Sequence, residues 1–130
     1  MNKNTLIKAG ILGMIAVLGG AFGAHALKEI LSPAHLASFN TGVRYQMIHA
    51  VVLLFLFLLG NKFEMKQFKI AAHLIFFGVV LFSGSIYLLT LKNIIGLEVL
   101  KFAGPITPIG GLLIITGWLF IVLGAMKMKK

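Results

Sequence analysis

The chain has 130 residues, 59% of them hydrophobic, and its mean hydropathy is +1.02. Ordinary soluble domains are about 45–50% apolar, so composition excludes a soluble domain and points to one membrane domain. The absence of cysteine excludes disulfides and thiolate metal sites, and the net charge of +9 sits at the ends of apolar runs, as topology and anionic-lipid signals do, so no nucleic-acid partner is expected.

The first apolar run covers 6–27 behind Lys3 and Lys8. Its basic start and its Ala24-His25-Ala26 end imitate a cleaved secretory signal. At about 20 residues, however, the run is long enough to span a bilayer and is read as a retained helix. Ala9, Gly13, Ala16, Gly20 and Gly23 form one narrow stripe, and Gly19 and Gly23 a GxxxG. Small stripes let helix backbones approach closely in lipid, so Gly13, Gly20 and Gly23 are assigned to helix packing.

Lys28 to Leu31 is expected to leave the helix and open an interfacial segment between helices one and two. Ser32-Pro33 reads as an N-cap followed by proline at the first helical position. Leu36, Phe39, Val43, Met47 and Ala50 continue at helical spacing. Asn40-Thr41-Gly42 leaves two readings open: one helix from Pro33, or an interfacial half followed by a span over 44–60. The run VVLLFLFLL has no small stripe, so this helix is expected to face lipid most.

Gly60 to Lys69 reads as a short charged turn, and the third span covers 67–91. There Ala71, Gly78 and Ser85 repeat every seven residues, while Ser83, Tyr87 and Thr90 form a separate polar stripe. Lys92 to Gly104 is too apolar for a solvated loop and too charged for a span, which suits the interface. Pro105 and Pro108 open the fourth span, 105–126, where Gly110, Gly117 and Gly124 again repeat every seven. Trp118 lies mid-helix and is expected to pack on a neighbour.

Four spans bring both termini and the middle turn to one side. Lys3, Lys8, Lys62, Lys66, Lys69, Lys127, Lys129 and Lys130 lie there, against Lys28, Arg44, Lys92 and Lys101 on the other. The positive-inside rule then predicts cytoplasmic termini. The uncommon polar side chains gather at the opposite end, and His25, Arg44, Tyr45, Gln46, His49, Ser83, Tyr87 and Thr107 form a candidate ligand or lipid site. Histidines on neighbouring helices are a haem or metal pattern, with structural hydrogen bonding as the competing reading. No third ligand falls nearby, so no metal or cofactor is assigned. Arg44 suits a snorkelling anchor, and two helix N-termini at this end favour an anion over a cation. Ser83 and Ser85 lack a GxSxG elbow and no acidic residue lies within a span, so no catalytic residue is assigned.

GAFGAHAL, RYQMIHA, FSGSIYLL and GPITPIGG followed by GW resemble, in that order, the small four-span membrane proteins of the YwdK and YgdD type, the domain of unknown function 423 family. The resemblance covers nearly the whole chain. It implies four transmembrane helices in a plasma or organelle membrane and carries no assigned activity. The expectation is an all-α, four-transmembrane-helix bundle in the cell (inner) membrane. Its expected role is accessory or structural, binding membrane lipids, a second copy of itself or a partner membrane protein. The alternative is a carrier-like protein with a small-molecule or cofactor site in the external half.

Overall fold

The computed structural model describes residues 1–129. The chain forms α1 (Lys3–Ala24), a one-turn α2 (Ala26–Ile30), α3 (Pro33–Phe63), α4 (Lys66–Ile95), a 3-10 segment (Glu98–Ala103) and α5 (Ile106–Lys127). Four segments are long and apolar enough to cross a membrane, and no strand occurs among the described residues.

The element ends follow from local chemistry. The Asn2 side chain accepts from the Asn4 N–H and caps α1. The first break falls at His25 rather than at Lys28, just past Gly23, where Phe39 and Asn40 of α3 close on α1. Lys28 itself is helical, in α2. Ser32 caps α3 by accepting from the His35 N–H at 3.2 Å, and Pro33 takes the first turn, where its missing N–H costs nothing.

Asn40-Thr41-Gly42 does not interrupt α3. The Thr41 hydroxyl bonds back to the Ala37 carbonyl, and Ile86 and Tyr87 of α4 lie 3.1–3.3 Å from where a Gly42 Cβ would stand. Tertiary contact at Gly42 outweighs a propensity cost of about 1 kcal/mol. The middle turn is also shorter than its composition suggests. Gly60 and Lys62 end α3, Lys66 and Lys69 begin α4, and only Glu64, in the left-handed region at φ 49°, and Met65 join them.

Each long helix packs antiparallel on the next: α1 on α3, α3 on α4, α4 on α5. The inner pair is α3 and α4, which corrects the expectation that the second span faces lipid most. Phe39, Gly42, Gln46, His49, Leu53, Leu56 and Gly60 fall at alternating three and four spacing and are buried. Their period, not their size, makes the seam. The lipid-facing helices are α1 and α5, with Met14, Val17 and Phe22 exposed on one and Leu112, Ile115 and Leu119 on the other.

The α4–α5 contact joins two of the small stripes face to face. A Cβ on Gly78 would lie 2.8 Å from the Ile114 side chain and 3.0 Å from the Gly110 carbonyl. One on Gly110 would meet the Phe82 backbone, one on Gly117 would lie 2.5 Å from Ile75, and one on Gly124 2.6 Å from Phe68. On the other flank, Gly13 faces Ala50, Gly20 faces Val43 and Gly23 faces Phe39.

Helix lengths set the height of everything else. At 1.5 Å per residue, the 22 residues of α1 reach about 33 Å and the 31 of α3 about 46 Å, against a hydrocarbon core of about 30 Å. At the terminal end, Met1 packs on Gly60 and its amino group bonds Asn61. At the other end Gly23 is level with Asn40, and Thr107 with Ser85. The surplus of α3 and α4 therefore projects beyond α1 and α5 at that far end.

Candidate functional site

Two polar features occupy the far half of the bundle. The deeper one ties four helices together. Gln46 of α3, 3% exposed, donates from Nε2 to the Leu12 carbonyl of α1 at 2.8 Å. Its Oε1 accepts from the Tyr87 hydroxyl of α4 at 2.6 Å. One turn away, the Ser83 hydroxyl donates to the Gly42 carbonyl at 2.7 Å. These bonds cost little to maintain because the alternative is an unmet polar group in hydrocarbon.

His49 extends the chain of bonds to α5. Its Nδ1 lies 2.7 Å from the Tyr45 carbonyl, which can only accept, so Nδ1 carries the proton. The remaining lone pair on Nε2 accepts from Trp118 Nε1–H at 3.1 Å. Both ring nitrogens are thereby used, and neither offers a lone pair to a metal or haem iron without breaking a bond. The imidazole lies edge-on to Trp118, and Tyr45 stacks between it and Phe82 with centroid distances of 5.9 and 4.7 Å. Trp118 thus packs on a neighbouring helix, and its role as a donor is legible only from the fold.

The eight candidate residues do not form one site. Tyr45, Gln46, His49, Ser83 and Tyr87 belong to the bonded chain. Thr107 stands apart, sharing a 2.6 Å contact with Ser85 where α4 meets α5. Arg44 is exposed on the outer face of α3. His25 is exposed at the α1–α2 break, beside Ala21, Phe22 and Ala26. Ala50, next to His49, faces Gly13, so His25 stands twelve residues, or about 18 Å, farther along α1. The two imidazoles cannot share a ligand atom at that separation.

The second feature is a cleft of about 420 Å³ in the projecting tip. The first turns of α3 supply His35, Ser38 and Thr41, the last turns of α4 supply Thr90 and Asn93 over Ile86 and Leu89, and α5 supplies Thr107. Of these only Thr107 was among the sequence candidates. The signal that would have found it is a three-residue polar spacing, 35-38-41, set against 90-93 by antiparallel pairing. Gly42 contacts Ile86, so Ser38 is level with Thr90 and His35 with Asn93.

A compact bundle of apolar helices knit by buried side-chain bonds, with lipid-facing flanks, defines a small four-span integral membrane protein. The chain belongs to the family described as "Protein of unknown function (DUF423)", whose sequence model matches residues 7–111. It is 38% identical to the UPF0382 membrane protein YwdK of Bacillus subtilis, over 96% of this chain and 98% of that one. Similar relatives include the UPF0382 membrane protein SSP2132 of Staphylococcus saprophyticus, 39% identical over 96% and 98% of the two chains. The UPF0382 inner membrane protein YgdD of Escherichia coli is 34% identical over 96% and 91%. No solved structure matches the chain.

Proposed function

We propose that the protein is a non-enzymatic accessory component of the cell membrane, which binds partner subunits or lipid through its outer surface. The observation that supports this is how the interior polar groups are spent. Gln46, His49, Ser83, Tyr87 and Trp118 bond one another and the carbonyls of neighbouring helices. Bonds made in this way, among side chains and helix carbonyls, hold a shape rather than present a reactive group. Purification of the full chain in mild detergent, followed by native mass analysis, tests the proposal. Co-purified subunits or lipid are expected, and a bare monomer would overturn it.

The orientation that goes with this role places both termini in the cytoplasm. It is supported by eight lysines at the terminal end against Lys28, Arg44, Lys92 and Lys101 at the other. Because the chain has no cysteine, single cysteines report cleanly. Lys28→Cys and Leu97→Cys should react with an impermeant maleimide in intact cells, and Lys62→Cys should not. The reverse pattern would overturn the orientation.

A further inference from the structure

We propose that the tip cleft binds the uncharged, hydroxyl-rich head of a membrane lipid, such as a glycosyl-diacylglycerol. The proposal deepens the lipid arm of the accessory reading.

The Thr41 hydroxyl donates to the Ala37 carbonyl and the Thr90 hydroxyl to the Ile86 carbonyl, each at 3.0 Å. The Ser85 hydroxyl donates to the Phe82 carbonyl at 2.8 Å, so its contact with Thr107 draws on the Thr107 proton. Each of the three threonines in the lining has therefore used its one proton, and its oxygen offers only lone pairs. A phosphate or carboxylate also offers only lone pairs, so it gains nothing from the threonines and meets donors only at Ser38, Asn93 and the His35 ring. A hydroxyl both donates and accepts, so it can give its proton to a threonine oxygen. It can also take one from Ser38, Asn93 or the His35 ring, which line the same cleft. No lysine, arginine or carboxylate lies in the lining, so a full charge on the ligand would go unbalanced.

Position and size agree with this chemistry. The tip begins where α1 ends, at the level of Gly23 and Asn40, so His35, Ser38, Thr90 and Asn93 stand at the depth of lipid heads. Ile86 and Leu89 floor the cleft with apolar surface, and its volume falls within the roughly 300–1,000 Å³ typical of small-ligand sites.

The test uses the full chain in phosphatidylcholine nanodiscs doped with equal amounts of monoglucosyl-diacylglycerol and phosphatidic acid. Lipid retained on gentle extraction is then read by native mass analysis. Glucosyl lipid should be enriched several-fold over phosphatidic acid. Thr41→Val with Thr90→Val keeps side-chain shape and removes two acceptors. It should abolish the enrichment, because two lost bonds at about 1 kcal/mol each weaken retention of the glucosyl lipid about thirty-fold. Ser38→Ala with Asn93→Ala, two exposed changes that spare the interior, should do the same. Equal or preferential retention of phosphatidic acid would overturn the proposal in favour of an anion site. Glucosyl lipid retained by both double variants as strongly as by the parent, or by none of the proteins, would also overturn it. Partner subunits that co-purify with these double variants as with the parent would leave the accessory reading standing independently.

Discussion

Replacing Gln46 with leucine probes the bond chain where it crosses three helices. The change keeps similar volume but removes the donor to Leu12 and the acceptor for Tyr87. The Leu12 carbonyl lies within α1 and keeps its helical partner, so that loss is near the membrane average of about 0.6 kcal/mol. The half-buried Tyr87 hydroxyl loses its glutamine acceptor, which costs about 1 kcal/mol more. Gln46→Leu should therefore destabilise the bundle by about 2 kcal/mol. Tyr87→Phe loses the same bond from the other side and should cost about 1 kcal/mol, because its ring contact with Phe39, 5.5 Å between centroids, survives. The double variant has neither orphan, so it should be less destabilised than the sum by about 1 kcal/mol. Reversible unfolding in mixed micelles, followed by the fluorescence of the chain's one tryptophan, measures all four corners of the cycle. Additivity within about 0.3 kcal/mol would show that the two side chains do not bond.

The other predictions concern packing and the α3–α5 link. Gly110→Val should destabilise by about 2–4 kcal/mol in a detergent melt, because its Cβ meets the Phe82 backbone, which cannot move aside. Gly84→Ala and Gly10→Ala should be neutral or stabilising by up to about 1 kcal/mol in the same melt, since a Cβ at either position meets nothing within 4 Å. Trp118→Phe removes the donor to His49 and should cost about 1 kcal/mol in thermal unfolding, while Trp118 emission should shift in His49→Phe, where the indole N–H loses its acceptor. Glu98→Gln should change stability by less than about 0.5 kcal/mol, because its 3.7 Å pair with Lys92 is open to solvent.

Sequence periodicity carried much of this fold, and its failures have a common cause. Apolar runs located the four spans, and the seven-residue repeats 71-78-85 and 110-117-124 proved to be two sides of one interface. The α3 seam leaves no small-residue stripe in the sequence, because Phe39, Gln46, Leu53 and Gly60 share a period but not a size. In the site, Ser83 and Tyr87 were legible as one polar stripe, but their partners on α3, Gly42 and Gln46, were not. The separation of His25 from His49 did not show, because it depends on axial register. Register is set by contacts such as Gly13 with Ala50 and Gly23 with Phe39, which no local pattern encodes. The cleft was hidden for the same reason. His35 and Asn93 look like unrelated interfacial residues until the contact of Gly42 with Ile86 sets them at one height.

The two inner contacts are held by different forces, and this explains where function can reside. Lipid tails compete with apolar side chains on equal terms, so helices in a bilayer associate through close approach or through hydrogen bonds. Between α4 and α5 the bundle uses approach, with glycines on both sides and a single hydroxyl contact, Ser85 with Thr107, at the upper edge. Between α3 and α4 it uses bonds, at Ser83 with Gly42 and at Tyr87 with Gln46. Close approach leaves no room for a ligand, and in the bonded interior the hydroxyl protons are already given to neighbouring groups. Above the last of these bonds, α3 and α4 run on past α1 and α5, flanked by the short α2 and the 3-10 segment. There Ser38, Asn93 and His35 line a cleft that a molecule from outside can enter.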